Sequence, residues 1–317
     1  METLYLGIDL GGTNVAAAAV DAGGSILSRV SIPTPRGVET VVDTIEQAAR
    51  KAAAGCGCQL PDFAAAGIGS PGIANPETGI VEYSCNLDFH DVPLAELLSQ
   101  RLGLEVVLEN DANAAALGEF AAGAGKGANS MVAVTLGTGV GGGVVIDRKL
   151  FSGFNHAGAE LGHFVIEQDG NPCTCGRRGC FETYASATAL IRLTRTYMEA
   201  DSNSLCWTLA GGRLDKVNGR TAFDAMRQGD PTGSRIVEEY LEHLASGLVS
   251  IVNIFQPEVL CIGGGVSNEG DALLAPIQKV LDAEDYARNS ARRTRLAIAT
   301  LGNDAGLIGA AFLPLFR

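Results

Sequence analysis

Two stretches of this chain share one pattern: a short apolar strand, a glycine turn, and a second apolar strand. They are LYLGIDLGGTNVAAAAV, starting at Leu4, and MVAVTLGTGVGGGVVI, starting at Met131. Strands joined by so tight a turn are antiparallel neighbours. Each stretch is followed by segments of helical spacing and further short apolar strands, so each opens an α/β unit. A duplicated α/β unit implies two lobes with a cleft between them.

Taken in order, apolar strands are expected at residues 4–9, 15–20 and 26–32, with turn residues Asp21 to Gly24 before the third. Val41, Val42, Ile45, Ala48, Ala49 and Ala52 fall on one face of a helix over residues 38–54. A strand at 64–69 ends in the loop GSPG; a helix at 94–102, a strand at 105–108 and an alanine-rich helix at 112–121 follow. The second round places a strand at 131–136, the turn GTGVGGG, and a strand at 144–147. Helices are expected at 183–199 and 221–228, and a long one at 232–255 that Pro257 stops. A buried strand at 259–262, a glycine triplet, a helix, a strand at 296–300 and a helix near 305–315 complete the chain.

Hydrophobic residues make up 46% of the 317, enough for a substantial core. The formal net charge of −13 argues against a nucleic-acid surface, which needs clustered Lys and Arg. It does not argue against a small anion, because backbone amides and a metal ion bind one locally. The N-terminal METLYLGIDLGG has no basic region followed by a long apolar run, and no stretch has about 18 uncharged apolar residues. A cytoplasmic protein with no membrane span is therefore expected, and its eight cysteines are expected as thiols or metal ligands rather than disulfides.

The densest chemistry lies in AGAELGHFVIEQDGNPCTCGRRGCFE, residues 157–182. Nine residues separate His163 from Cys173, one separates Cys173 from Cys175, and four separate Cys175 from Cys180. This is a closed set of three soft thiolates and an imidazole, which suits a structural zinc ion. A reduced, metal-free loop is the plainer alternative, and a disulfide pair a further one. Glu160 and Glu182 flank the loop with more charge than it needs unless they meet a ligand.

Asp9 ends the first strand and precedes Gly11, Gly12, Thr13 and Asn14. Without a Cβ, glycine lets backbone N–H groups approach phosphate oxygens, Thr13 adds a hydroxyl, and Asp9 could hold Mg²⁺ through water. The plain alternative is a β-hairpin with a charged rim. Gly137 to Gly142 satisfies G-x-G-x-x-G, but a strand follows where the dinucleotide fingerprint requires a helix. A phosphate-facing hairpin using Thr138 and Gly139 is the better reading. Gly264, after the 259–262 strand, is a weaker candidate for a nucleotide contact. In Glu109-Asn110-Asp111-Ala112-Asn113, Asp111 could cap the helix or accept a proton from a substrate hydroxyl, and Asn110 beside it suits a sugar hydroxyl.

Together these pieces resemble the ROK sugar kinases, within the actin-like ATPase and hexokinase superfamily. The matching segments are DLGGTN at 9, GIGSPG at 67, ENDAN at 109, LGTGVGGG at 136, ELGH at 160, CTCGRRGCFE at 173, GGGV at 263 and DAGLIGAA at 304. They run the length of the chain in order. The resemblance implies a two-lobed actin-like ATPase (ribonuclease H-like) α/β fold with duplicated mixed sheets. Its small lobe would hold residues 1–110 and the C-terminal helix 303–317; its large lobe would hold 111–302, with the zinc loop at 156–182. It implies transfer of the γ-phosphoryl group of Mg-ATP to a sugar, usually the 6-hydroxyl of glucose. Asp111 would be the base; Gly72, Asn86, Asn110, Glu160, His163 and Glu182 would contact the sugar. Asp9, Gly11, Gly12, Thr13, Asn14, Thr138, Gly139 and Gly264 would serve nucleotide, phosphates or Mg²⁺. A homodimer is implied, with small molecules rather than nucleic acid as partners. The family's common Asn-Leu-Pro-Gly-Trp reads here Asn86-Leu-Asp-Phe-His90, which leaves a kinase for an N-acetylated sugar as an alternative. Some relatives are repressors with an N-terminal helix-turn-helix; a first strand at Leu4 leaves no room for one, so a non-catalytic regulator is disfavoured.

Overall fold

Leucine, alanine, valine and isoleucine dominate the opening strands, and the chain uses them for a sheet whose central strands are buried while its edge strand alternates between half-buried and exposed. The computed structural model describes residues 3–316. Strands β1 (Leu4–Leu10), β2 (Asn14–Asp21) and β3 (Ile26–Pro33) form an antiparallel meander and lead into helix α1 (Val38–Gly55). Next come β4 (Phe63–Ser70), β5 (Ile73–Asn75), β6 (Ile80–Ser84), β7 (Phe89–Val92), α2 (Leu94–Leu102), β8 (Val106–Asn110) and α3 (Asp111–Ala121). β4 pairs parallel with β1 and β8 parallel with β4, giving the sheet order β3-β2-β1-β4-β8. The face of α1 expected to be apolar is buried from Val41 to Ala52 against this sheet.

The second half repeats the scheme. It begins with β9 (Met131–Leu136), β10 (Val140–Ile146) and β11 (Lys149–Leu150). Helices α4 (Glu182–Ala185), α5 (Ala187–Ala200), α6 (Leu205–Leu209), α7 (Thr221–Arg227) and α8 (Pro231–Phe255) follow. Strand β12 (Val259–Gly263), α9 (Asp271–Glu284), β13 (Arg295–Ile298) and α10 (Ala305–Phe312) end the chain. The second sheet runs β11-β10-β9-β12-β13. Numbered within each sheet, both have the order third, second, first, fourth, fifth strand, so the duplication extends to topology.

The chain divides into two compact units. One comprises the residues up to Val132, Gly143–Ala159 and those from Thr300 onward; the other comprises Ala133–Gly142 and Glu160–Ala299. In the first, α10 packs on β1, β4 and α3 with almost no space between backbones. A Cβ at Gly67 would lie 2.9 Å from the carbonyl carbon of Ala310, and one at Gly309 2.7 Å from that of Ala114. Glycine at both positions is what allows the helix to sit so close. In the second, α8 buries Ile236, Tyr240, Leu244, Leu248 and Ile251, and Tyr240 donates a 2.7 Å hydrogen bond to the Ala185 carbonyl.

Three local features differ from the sequence reading. The small antiparallel sheet β5-β6-β7 was not expected; its strands are three to five residues long and show no sustained alternation. Gly141 to Gly143 lie within β10 rather than in a turn, and neighbours crowd two of them; a Cβ at Gly142 would be 2.6 Å from Leu161 Cδ1 and one at Gly143 3.3 Å from the Ala112 carbonyl oxygen. The single helix expected at 183–199 is broken at Ser186, which is extended (φ −72°, ψ 162°) and caps α5 by accepting the Ala189 N–H at 3.1 Å.

Candidate active site

In the first unit, three neighbouring parallel strands end together. The register aligns Asp9 of β1 with Gly69 of β4, Gly69 with Glu109 of β8, and Ser70 with Asn110. Asp9, the loop from Pro71 to Gly72 and the Asn110–Asp111 pair therefore share the carboxyl edge of the sheet, where open α/β sheets bind ligands. A Cβ at Gly69 would lie 3.3 Å from Asp111 Cα, so the β4 terminus is packed directly under the aspartate.

Asn110, not Asp111, caps α3. Its Oδ1 accepts the N–H groups of Ala112 at 2.9 Å and Asn113 at 3.2 Å, and its Nδ2 donates to the Gly72 carbonyl at 3.1 Å. Its side chain thus ties the GSPG loop to the helix start. Asp111, the first helical residue, is half-buried, with Oδ1 accepting the Ala112 N–H at 2.9 Å. Burial raises its carboxyl above the ordinary aspartate value, against the hydrogen bonds from the α3 start that lower it. Asp9 is raised by burial first and by the negative charge of Asp111 second. Two carboxylates that sense one another at a ligand edge are what a cationic or proton-bearing ligand would relieve. Glu109, also raised by burial, holds the Asn110 N–H at 2.8 Å and Asn113 Nδ2 at 3.0 Å.

The glycine turn stands beside this edge. Gly12, Thr13 and Asn14 are exposed, and a Cβ at Gly12 would be 3.4 Å from Asn86 Cβ. Asn86, exposed on the β6–β7 connection, is thereby brought against the turn. The sequence reading gave no role to the start of α10. A Cβ at Gly306 would lie 3.3 Å from Asp9 Oδ2, so the first turn of this helix faces the carboxylate. The sequence signal there was the matching segment DAGLIGAA at 304, with glycine at the second helical position.

In the second unit, the turn Gly137-Thr138-Gly139 follows β9, and Gly264 follows β12. A Cβ at Gly264 would lie 2.6 Å from the carbonyl carbon of Leu136, so the two glycine turns abut at adjacent strand ends. Glu182 Oε2 accepts the Val140 N–H at 2.9 Å, and a Cβ at Gly139 would be 3.1 Å from its carboxyl carbon. The Glu160-to-His163 turn reaches the same strand, since a Cβ at Gly162 would be 3.3 Å from the Val140 carbonyl carbon. Glu160 is exposed and His163 half-buried.

His163, Cys173, Cys175 and Cys180 converge, with their four ligand atoms within 4.8 Å of one another. The Cys175 and Cys180 sulfurs are 3.6 Å apart, and Cys173 Sγ is 3.6 Å from His163 Nδ1. A tetrahedral zinc with Zn–S bonds of about 2.3 Å has ligand–ligand edges of about 3.7 Å, close to the two 3.6 Å separations, so the donor set suits that ion. The backbone is folded for it: Cys173 N–H donates to the Arg177 carbonyl at 2.9 Å and Gly176 N–H to the Cys173 carbonyl at 3.0 Å. The Arg177 amide, the largest cause, draws the Cys175 thiol down, whereas burial pushes Cys180 up to about 12. Such a buried thiol ionises readily only beside a strong positive charge.

The sequence matches the ROK family over residues 5–315. The chain belongs to the ROK family. It is 42% identical to the glucokinase of Thermotoga maritima over 311 residues, covering 96% of this chain and 95% of that one. It is 39% identical to the glucokinase of Streptomyces coelicolor over 312 residues, covering 98% and 97%. It is similar in structure to a ROK glucokinase from Streptomyces griseus, solved in complex with glucose and AMPPNP, with TM-score 0.78, 38% identity and 98% of each chain covered. This ROK chain thus has the mixed α/β, two-lobed fold of the actin-like ATPases. No helix among its described residues is long and apolar enough to cross a membrane.

Proposed function

We propose that this chain is an ATP-dependent sugar kinase that transfers the γ-phosphoryl group of Mg-ATP to the 6-hydroxyl of glucose, with Asp111 as general base. The observation that carries the reading is the alignment of Asp9, the GSPG loop and Asn110–Asp111 along one carboxyl strand edge, in a chain 37–42% identical to glucokinases.

Asp111 suits a base because it is held and because burial raises its affinity for a proton. Its charge is oriented by the Ala112 amide, and the Asn110 cap fixes the turn from which it projects. The sugar hydroxyl gives its proton to Asp111 as its oxygen attacks the γ-phosphorus, and ADP leaves. Gly72, Asn86, Asn110, Glu160, His163 and Glu182 are the proposed sugar contacts, and polar groups among them that a bound sugar would cover would penalise an analogue that lacks a hydroxyl. Gly11, Gly12, Thr13, Asn14, Thr138, Gly139 and Gly264 are the proposed nucleotide and phosphate contacts, through amides and hydroxyls. Asp9 would hold Mg²⁺, whose charge offsets that of the phosphates. His163, Cys173, Cys175 and Cys180 would hold a structural zinc ion, which supplies rigidity rather than chemistry. With Nδ1 facing the sulfurs, the Nε2–H of His163 remains free to donate to a sugar hydroxyl.

A coupled ADP-release assay over a hexose panel tests the reading. Turnover with glucose is expected, with kcat/KM above that for N-acetylglucosamine and N-acetylmannosamine. No phosphorylation of any hexose by Mg-ATP sinks it; an inverted ratio moves the substrate to the amido sugars.

A further inference from the structure

Both glycine turns are fastened from behind by a threonine that belongs to neither motif. Thr188, the second residue of α5, donates through Oγ1 to the Thr138 carbonyl at 2.7 Å. Beside it the Ala187 N–H donates to the Gly137 carbonyl at 2.8 Å. In the first unit, Thr34 Oγ1 donates to the Gly11 carbonyl at 2.7 Å, and the Thr34 N–H donates to the Thr13 carbonyl at 2.9 Å. Thr34 follows β3 and Thr188 opens a helix, so the two are not equivalent in the duplicated order, yet each gives its hydroxyl proton to a carbonyl of a glycine turn.

A trans peptide holds its C=O and N–H on opposite sides. With the Gly137 and Thr138 carbonyls both drawn toward the start of α5, the N–H groups of Thr138 and Gly139 face the other way. Neither has a hydrogen-bond acceptor among the described residues, and both flank the exposed Thr138 side chain. The same logic turns the Gly12 N–H outward from the pinned Gly11 carbonyl. Successive outward amides form an anion-binding concavity only while the peptide planes behind them cannot flip.

We propose that Thr188 and Thr34 are positioning residues for nucleotide binding: their hydroxyls lock the peptide planes of the two glycine turns so that the amides present a preorganised phosphate cradle. The inference rests on the kinase reading and adds two residues to it. Thr188 lies eight residues after Cys180, and Glu182 between them holds Val140 N–H, so the cradle is tied to the metal loop by residues 182–188.

The test is calorimetric binding of Mg-AMPPNP and, separately, of glucose to wild type, Thr188→Val, Thr188→Ser, Thr34→Val and Thr34→Ser, with KM and kcat for ATP alongside. Valine keeps the shape and deletes the donor. One lost hydrogen bond corresponds to weakening of AMPPNP on the order of fivefold in each valine variant. Glucose affinity should hold, the melting temperature should fall by no more than about 4 °C, KM for ATP should rise more than kcat falls, and each serine variant should bind as wild type does. Wild-type protein that binds no AMPPNP would overturn the kinase reading itself. Wild-type binding matched by both valine variants would overturn this proposal alone, as would equal weakening of nucleotide and glucose, or serine variants no better than valine.

Discussion

Asp111→Asn changes one atom and should separate binding from chemistry. The amide oxygen of Asn keeps the acceptor position that now takes the Ala112 N–H at 2.9 Å, so the start of α3 stays intact. What disappears is the negative charge. A positioned general base contributes about 10²- to 10⁴-fold, or about 3–5 kcal/mol of barrier at 1.36 kcal/mol per decade; kcat should fall by that factor. Stability should move the other way. Burial raises the Asp111 pKa, so the folded state holds the proton more tightly than the unfolded chain does. The stabilising contribution is present at low pH, where the group is protonated, and is lost as pH rises through the raised value. A neutral Asn escapes that loss, so the variant should melt higher than wild type at neutral pH, with the advantage fading in acid. Asp9, relieved of its charged neighbour, should titrate lower. The assays are steady-state kinetics against pH, glucose calorimetry and thermal unfolding. Turnover within about tenfold of wild type would refute the base assignment. So would glucose affinity collapsing with kcat, because the residue would then be a binding group.

Elemental analysis of the purified chain should find one zinc per chain, and Cys175→Ser should remove it and lower the melting temperature; full stability after chelation would mean the sulfur cluster needs no ion. Gly309→Ala should destabilise the first unit by about 2 kcal/mol or more. Its Cβ would stand 2.7 Å from the Ala114 carbonyl carbon, about 0.8 Å inside a normal carbon contact, with only backbone to yield. A denaturant midpoint equal to wild type would show that α10 and α3 part more easily than this packing implies.

The repeated strand-turn-strand pattern was legible because glycine pairs and alternating burial are local signals. β1, β2, β3, β4 and α1 lie within two residues of their expected bounds for the same reason. The β5-β6-β7 sheet was not legible, because its strands are pinned by neighbours such as Ala95 under Gly79 rather than by their own pattern. The clustering of His163, Cys173, Cys175 and Cys180 could be read from spacing, since four donors of two kinds within eighteen residues leave few other arrangements. Asn110 was read as a sugar contact and Asp111 as a possible cap; the structure gives the cap to Asn110, because residue 110 is still extended (φ −64°, ψ 145°) and 111 is already helical. Thr188 lay outside reach altogether. It is placed by the break at Ser186, and apolar periodicity runs through that break without a mark.

The last helix of the chain completes its first unit. Until Ala305 to Phe312 leave the ribosome, Gly7, Gly67 and Gly118 line a trough with nothing in it. The strands that carry Asp9 and Asn110 are made early but stay uncovered on this face until residues 305–312 follow them out. A nascent chain stalled short of that helix would expose an alanine- and glycine-lined groove, a sticky surface that the finished packing hides.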